Sequence, residues 1–495
     1  MLSIVIFLPV AVGILLAVLR RITPAAARWV WLTTTLVDLA LIVVITVAGP
    51  TSGNGLVAEE QLAWMPGVGT SYHIGVDGFS LPLLLLTGVI FVASAVWSLR
   101  TEDRPRAQAA LFLFLQTTCL GLFAAQDLIL FFLWFDLSIV GMYFVIAGWG
   151  HGNARRSALK FFLYTFLGSL ALLLGFIGLY LNSSPHTFDM IELSQAGAFT
   201  GNAVTGGLIL TAIVVGLAIK TPTFPFHSWL PPAHTDAPSI GSVVLAAVML
   251  KMGTYGFVRI AMPMLPDAWR AGAWVIVAVG IVSVLYGALV ALAQTDVKRM
   301  IAFTSINHMG YVILAVGAAG IVSQDSEQAQ HLAITGAVIQ MVSHGLITGA
   351  LFLLAGVFWD RTGSYDLRRY GGLASPAPRF AGFFAIAAFA SLGLPGFSGF
   401  IAEFQIFTGS IGTTLWAALA LPGILVVAVL FLRAFQRVFT GPTTGLSPGF
   451  DDLRRHEIVP LVVLLGLSVI IGIFPGPLIE LIAPAADQLI GVLGP

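Results

Sequence analysis

The chain consists largely of apolar stretches of about twenty residues, each long enough to cross a bilayer as a helix. Its 495 residues are 58% hydrophobic and only 9% charged. Soluble domains carry about 25% charged residues, so a chain of this kind does not form an ordinary soluble domain. The stretches are continuous rather than alternating, which excludes the strands of a transmembrane barrel. We therefore predict an all-α integral membrane protein.

The hydrophobic pattern predicts about fourteen transmembrane helices. Their expected spans are 2–19, 29–49, 79–99, 108–125, 128–149, 159–181, 206–229, 239–262, 271–293, 300–321, 332–357, 380–409, 414–437 and 457–480. We expect helices 1–3 in residues 1–107, a first five-helix repeat in 108–262, a second, inverted repeat in 271–437, and helix 14 in the C-terminal region 438–495.

Positive charges are distributed unequally between the two sides of this bundle. Lys and Arg follow predicted spans 1, 3, 5, 9, 11 and 13, as Arg20 and Arg21 do after the first span, and are absent after spans 2, 4, 6, 10 and 12. Arg259 and Arg270, around the loop after span 8, are the exceptions. Because cytoplasmic loops retain positive charge, we expect a bacterial plasma-membrane protein with both termini outside the cytoplasm. The first span could instead be a signal peptide, but its charges follow the apolar run rather than precede it.

Several functions find no support in the sequence. Cys119 is the single cysteine, so the chain cannot build an iron–sulfur cluster or a paired-cysteine metal site. It contains no Walker-type loop and no dinucleotide fingerprint after a strand, and a net charge of zero gives no indication of nucleic-acid binding. We therefore expect no cofactor in this chain, no direct NADH binding and no nucleic-acid partner.

Ionisable residues inside the predicted spans are the candidate functional residues. A charged side chain at the centre of a membrane helix costs about 2.5–3.5 kcal/mol on insertion scales, so each one needs a partner or a function. The candidates for proton transfer are Asp136, Lys220, Lys251, His308, His344 and Glu403.

Simpler explanations exist for each of these residues. Asp136 could hydrogen-bond a neighbouring helix, Lys220 could extend to the interface, and each histidine could be satisfied in the core. Prolines Pro222 and Pro225 follow Lys220, however, and irregular backbone at membrane depth survives only where protein or a water-filled cavity surrounds it. Lys251 lies near the middle of its span, where reaching the interface is harder. Two histidines in adjacent spans suit a proton wire, because imidazole both donates and accepts protons.

Two of the predicted helices are interrupted. One break, TPTFPFHSWLPPAH, follows Lys220, and the other, LPGFSG, precedes Glu403. Interrupted helices at corresponding places in two halves indicate inverted repeats with charged sites near the midplane. We expect each repeat to hold a half-channel, with Lys251 and the histidines between them.

The longest motifs resemble those of one family. The run GLAIKTPTFPFHSWLPPAHTDAPSIGSVVLAAVMLKMGTYGFVRI resembles the signature of the antiporter-like membrane subunits of respiratory complex I, the proton-pumping NADH–quinone oxidoreductase. Other motifs of that family resemble GVDGFSLPLLLLT, ALAQTDVKRMIAFTSINHMGYVILAVG, SHGLITGALFLLAG and GLPGFSGFIAEF. The resemblance covers residues 70–475.

The resemblance implies specific roles for the candidates. Asp136 and Lys220 match the family's ion pair, Lys251 its central lysine, His308 and His344 its connecting histidines, and Glu403 the terminal acid of the second half-channel. Glutamate at position 403 and the short segment after span 14 resemble subunit M, whereas subunits L and N carry lysine there.

One site departs from the family pattern. The family usually has glutamate at position 136, preceded by tryptophan and followed five residues later by proline. This chain has Phe135, Asp136 and Gly141 instead. Aspartate keeps the charge but is one methylene shorter.

The resemblance also implies a mechanism and partners. Quinone reduction elsewhere in the complex would supply energy, and opening of the Asp136–Lys220 pair would push a proton to Lys251 and through the histidines to Glu403. The chain would be a non-redox subunit beside L-, N- and K-type membrane subunits in the lipid bilayer.

Other functions remain open from the sequence. A subunit of a multi-subunit sodium/proton antiporter shares most of the motifs, although such subunits carry lysine at position 403. A membrane subunit of an energy-converting hydrogenase or carbon-uptake complex is a further alternative. A purely structural anchor would gain nothing from four charged groups inside the bilayer.

Overall fold

The computed structural model describes residues 1–19, 21–49, 55–100, 103–195, 197–321 and 326–494. Within these ranges, thirteen helices are long and apolar enough to cross a membrane. Leu2–Val18 and Pro378–Ser391 are apolar but shorter. The prediction of an all-α membrane protein is confirmed.

The N-terminal part consists of three helices and a hairpin. Its elements are α1 (Leu2–Val18), α2 (Pro24–Ala48), β1 (Val57–Met65), β2 (Thr70–Val76) and α3 (Leu81–Trp97).

The next part holds four long helices, a set of short ones and two π-helical segments, Leu245–Met249 and Phe257–Ala261, which flank α11. Its helices are α4 (Pro105–Ala124), α5 (Leu128–Trp149), α6 (Ala154–Leu181), α7 (Met190–Leu193), α8 (Ala203–Lys220), α9 (Leu230–Asp236), α10 (Ser239–Val244), α11 (Leu250–Gly256) and α12 (Met262–Met264).

The C-terminal part contains the longest helices and a two-residue strand pair. Its elements are α13 (Pro266–Leu292), α14 (Val297–Ala319), α15 (Glu327–Thr362), β3 (Tyr370–Gly371), α16 (Pro378–Ser391), α17 (Ser398–Thr413), α18 (Leu421–Phe439), β4 (Thr444–Gly445), α19 (Arg455–Ile473) and α20 (Gly476–Leu493).

The predicted spans correspond to these helices with two clear errors. The span predicted over 206–229 is too long, because α8 ends at Lys220. The single span predicted over 457–480 is wrong, because α19 ends at Ile473 and a separate helix, α20, begins at Gly476. Pro475 lies between them, and proline lacks the backbone donor that would continue a helix. The region 438–495 therefore holds two helices instead of one.

The hairpin of β1 and β2 is an element that hydropathy did not predict. Its strands pair antiparallel, with Gln61 opposite His73. Backbone bonds connect it to two other loops: Gln126 N donates to the His73 carbonyl (2.9 Å), and Phe188 N donates to the Gly69 carbonyl (3.1 Å). The hairpin, which itself connects α2 to α3, thus joins the α4–α5 and α6–α7 connections on one side of the bundle.

A histidine secures this hairpin. His73 Nδ1 lies 2.5 Å from Asp189, and its Nε2 lies 2.9 Å from Glu59. Burial by itself would lower the pKa of His73, but the hydrogen bonds and charges of Asp189 and Glu59 outweigh that effect and raise it above the usual value.

Ion pairs account for both exceptions to the charge pattern. Arg259 lies 2.5 Å from Asp77, and Arg270 lies 2.5 Å from Asp267. Burial tends to raise the pKa of Asp77, yet the Arg259 guanidinium holds it below its usual value. Each exceptional arginine is therefore neutralised locally. Arg20 lies outside the described residues.

Candidate functional site

Lys220 is the last residue of α8 and is buried. Its Nζ donates to Ser138 Oγ (3.1 Å) and lies 4.6 Å from the centre of the Phe135 ring. Both partners belong to α5. A hydroxyl and an aromatic ring stabilise a cation without neutralising it, and the charge of Asp136 also attracts the Lys220 ammonium.

The helix ends at Lys220 because Pro222 and Pro225 follow. Thr221 N and Thr223 N still donate to carbonyls of the last turn, at 2.8 and 3.0 Å. Further along, Phe224 N donates to Ser283 Oγ (3.0 Å). The predicted break is confirmed, and its backbone donors are satisfied inside the protein, as membrane depth requires.

Asp136 does not form the expected ion pair with Lys220. Its carboxylate lies beside the Ser169 hydroxyl of α6, and Oδ1 is buried without a hydrogen-bond partner among the described residues. No oxygen of Asp136 lies within 4.0 Å of Lys220 Nζ. Phe135 and Ser138 occupy the face of α5 towards Lys220, and a residue between them points elsewhere on a helix of 3.6 residues per turn. The two residues thus make no direct salt bridge in this structure, although their charges attract each other, and their pairing stays a prediction.

Lys251 contacts one of the predicted histidines. It lies in α11, fully buried between the two π-helical segments. Its Nζ donates to the Ala246 carbonyl (2.7 Å) and lies 2.6 Å from His344 Nδ1. Segments of π-helix occur frequently at functional sites, where they redirect side chains.

The second histidine and the glutamate surround an adjoining cavity. The rings of His308 and His344 are 5.5 Å apart between centres. His344 Nε2 is buried without a partner among the described residues. Both histidines, Ser391 and Glu403 line a small cavity with room for about one water molecule. The structure thus brings four candidates together: Lys251, His344, His308 and Glu403.

Glu403 lies in α17, after the second interrupted helix. It is 8% exposed and has no ion-pair partner in the described part of the chain. The turn between α16 and α17 contains Gly393 in the left-handed region (φ +70°), and a Cβ at Gly393 would overlap the Glu403 carboxylate. This turn therefore needs glycine both for its backbone and for the space of the acid.

The Lys220 region and the Lys251 region meet at Gly253. A Cβ on Gly253 would overlap Thr221 Oγ1 and lie 2.8 Å from the Leu217 carbonyl oxygen. The absence of a side chain lets α11 pack directly against the end of α8. The two lysines therefore lie on elements in immediate contact, although no hydrogen bond joins them.

Sequence reasoning missed two buried groups near Lys251. Lys298 is fully buried, donates to the Ala237 carbonyl (2.6 Å) and lies 5.0 Å from the centre of the Tyr365 ring. His234 stacks on Phe352, and neither of its ring nitrogens has a hydrogen-bond partner among the described residues. His234 interacts electrostatically with both Lys298 and Lys251.

The sequence favours other interpretations of Lys298 and His234. Lys298 was counted as a loop charge because it precedes the predicted span 300–321, whereas α14 begins at Val297. His234 belongs to the proline-rich run after Lys220, which was interpreted only as a break.

A further buried acid lies away from these groups. Asp38 in α2 is fully buried and accepts a hydrogen bond from Gln116 Nε2 (2.6 Å). Its signal in the sequence is a single aspartate inside the predicted span 29–49.

The fold and these groups define a class: a multi-pass membrane protein with lysines, histidines and acids buried at membrane depth. Residues 125–430 match the model of a family described as NADH:quinone oxidoreductase/Mrp antiporter, transmembrane. The NADH-quinone oxidoreductase subunit M of Rhodobacter capsulatus is 36% identical, across 99% of this chain and 96% of the relative. The chain belongs to this family, as the motifs predicted.

Two other comparisons bear on the fold and the range of functions. A chain of respiratory complex I from Thermus thermophilus, solved with bound NADH, matches with a TM-score of 0.90 and 29% identity, covering 100% of both chains. The F(420)H(2) dehydrogenase subunit M of Methanosarcina mazei is 35% identical, across 88% of this chain and 87% of the relative. The protein is thus a multi-pass membrane protein of the respiratory-complex type.

Proposed function

We propose that this chain is the M-type, proton-translocating subunit of an NADH–quinone oxidoreductase in a bacterial plasma membrane. The observation that carries the proposal is the 2.6 Å contact between Lys251 Nζ and His344 Nδ1 at the centre of the bundle. An ammonium that faces an imidazole nitrogen can hand over a proton directly. The chain performs no redox chemistry and binds no NADH; its partners are L-, N- and K-type membrane subunits, and both termini lie outside the cytoplasm.

Protons enter from the arginine-rich side and leave at Glu403. Lys298 and His234 are buried on the way to Lys251 and provide the entry. From Lys251 the proton passes to His344 and His308, and across the shared cavity to Glu403. Water can occupy a polar cavity and complete such a path.

Asp136 and Lys220 control this transfer. In the arrangement of this structure, the Asp136 carboxylate attracts Lys220 without a direct salt bridge, and this weaker interaction favours release of the Lys220 proton towards the neighbouring α11. Approach of Asp136 would retain that proton, because an opposite charge stabilises the ammonium. Quinone reduction in partner subunits supplies the energy for this movement of Asp136 relative to Lys220.

One experiment tests the lysine directly. Lys220→Ala in the assembled complex should lower NADH-driven proton uptake by inverted vesicles at least about tenfold, the effect of about 1.4 kcal/mol on a barrier. Lys160→Ala is the matched control, since Lys160 is exposed and donates only to the Ser228 carbonyl (2.7 Å). An assembled Lys220→Ala complex with an unchanged ratio of protons to electrons would refute the proposal.

An antiporter function is the second candidate, because the family description includes Mrp antiporters. Glu403 argues against an antiporter function, because the sequence pattern of antiporter subunits has lysine at this position. Mass spectrometry of co-purifying subunits separates the candidates: redox subunits that oxidise NADH support the proposal. Hydrogenase-like, zinc-bearing or antiporter subunits would contradict it.

A further inference from the structure

Helices α1, α4 and α5 leave a groove on the membrane-facing surface of the bundle. Its volume is about 640 Å³. The lining is almost entirely apolar and includes Gly13, Ala110, Phe114, Phe144 and Gly148. Phe144 is 53% exposed, so the groove opens sideways towards lipid.

The groove has the length of one lipid leaflet. Along α4 it extends from Arg104 to Phe114, which at 1.5 Å per residue is about 15 Å. The hydrocarbon core of a bilayer is about 30 Å thick, so one leaflet contributes about half of that. A transmembrane helix of a neighbouring subunit would need a groove twice as long. The dimensions therefore favour an acyl chain from one leaflet.

Arg104 marks the polar end of the groove. Its backbone lies in the left-handed region (φ +47°), which is costly for a residue other than glycine. Its guanidinium lies 4.5 Å from the centre of the Trp149 ring and donates to the Gly148 carbonyl. Tryptophan is typical of the membrane interface. The strained backbone and the stacked ring hold a positive charge where a headgroup would lie.

Arg104 and the arginines on the same predicted side of the membrane complement an anionic headgroup. Arg104 also makes a two-point pair with Asp103 (2.9 and 3.0 Å), but both side chains are more than half exposed, so water and other anions can compete for the guanidinium. Arg100 precedes the groove in the chain, and Arg155 and Arg156 follow it at the start of α6. Clusters of arginine beside membrane helices attract anionic lipids.

We propose that this groove binds one anionic phospholipid from the leaflet on the arginine-rich side. The acyl chain fills the space between α1, α4 and α5, and the phosphate exchanges with Asp103 at the Arg104 guanidinium. The site is independent of the proton-transfer residues.

Photolabelling of the intact complex tests the proposal. The complex is placed in phosphatidylcholine vesicles with a trace of either phosphatidylglycerol or phosphatidylcholine that carries a photoreactive acyl chain. Labelled peptides are then identified by mass spectrometry. Peptides with Phe114 and Phe144 should be labelled about fivefold more by the phosphatidylglycerol probe, the preference expected for one arginine near an anionic lipid.

Substitutions separate the headgroup from the acyl chain. Arg104→Gln should remove the preference between the two probes. Gly148→Leu should lower labelling by both, because Gly148 lines the groove and a Cβ there meets no atom within 4 Å, so a larger side chain would occupy groove space. Ala147 lines the same groove, so Ala147→Leu provides the same test if the Gly148→Leu variant fails to assemble.

Matched controls lie on other helices. Gly382→Leu introduces the same side chain at an equally open position on α16, and Arg379→Gln removes an arginine outside the groove. Neither should change labelling of the groove peptides. Equal labelling of the wild-type groove by both probes would overturn the anionic preference. Unchanged labelling of the groove peptides in Gly148→Leu and Ala147→Leu would overturn the site. Crosslinks from the groove to a partner subunit would also overturn it.

Discussion

At the scale of single residues, the pairing of Lys220 is the main difference between expectation and structure. The cation is bound by Ser138 and Phe135, whereas Asp136 lies beside Ser169 with one oxygen unpaired. The sequence identified both charged residues because a charge in an apolar run is conspicuous. It could not show which side of α5 each residue occupies relative to α8, because that depends on how the helices are rotated against each other.

Asp136 offers a test of this arrangement. Asp136→Glu should keep proton uptake close to that of the wild type, because it preserves the negative charge that attracts Lys220. Asp136→Asn should lower it about tenfold, since an amide provides no charge to hold the proton. Both variants are compared by NADH-driven proton uptake at equal amounts of assembled complex. Ser169→Ala shows how much the neighbouring hydroxyl contributes to that uptake. Normal uptake with Asp136→Asn would mean that the charge at this position has no role.

At the scale of elements, the interrupted helices position the buried groups. The breaks after Lys220 and before Glu403 were predicted from proline and glycine, which act locally. The π-helical segments around Lys251 were not predicted, since no residue type marks them. The contact between α8 and α11 depends on Gly253, which the sequence presents as one glycine among 53.

Gly253→Ala should therefore disturb the junction between the two lysines. The new methyl group would meet the Leu217 carbonyl at 2.8 Å, and backbone cannot move as a side chain can. We expect a destabilisation of about 1–3 kcal/mol, as for other overpacked sites, together with slower proton uptake. Thermal unfolding of the purified complex measures the first effect. Gly207→Ala on α8 is the control, because nothing lies within 4 Å of that position; equal melting temperatures of the two variants would contradict the packing argument.

At the scale of the whole molecule, the charge pattern predicts the orientation in the membrane. The two arginines that broke the pattern are paired with Asp77 and Asp267, so they no longer oppose it. In the predicted topology, the hairpin lies on the outer side of the membrane. The segment between α18 and β4 lies on the cytoplasmic side. The two loops should therefore be accessible from opposite sides.

Cysteine labelling tests this orientation without a background signal. Cys119 is the only cysteine and is fully buried, so a membrane-impermeant maleimide should leave the wild type unlabelled. Gly67→Cys, in the exposed turn of the hairpin, should be labelled in intact cells. Thr443→Cys, also exposed, should be labelled only in inverted vesicles. The reverse result would invert the proposed topology and the direction of proton transfer.

The sequence by itself determined the membrane-spanning helices, the two breaks, the six candidate residues and the family. These properties are local: hydropathy is a sum along the chain, and the cost of a charge in the bilayer depends on its own neighbours in sequence. The tertiary structure decided which groups meet. Lys220 and Ser138 are 82 residues apart in sequence, and Lys251 and His344 are 93 apart. Each successive residue turns about 100° around a helix axis, so only the packing of whole helices decides which side chains face each other.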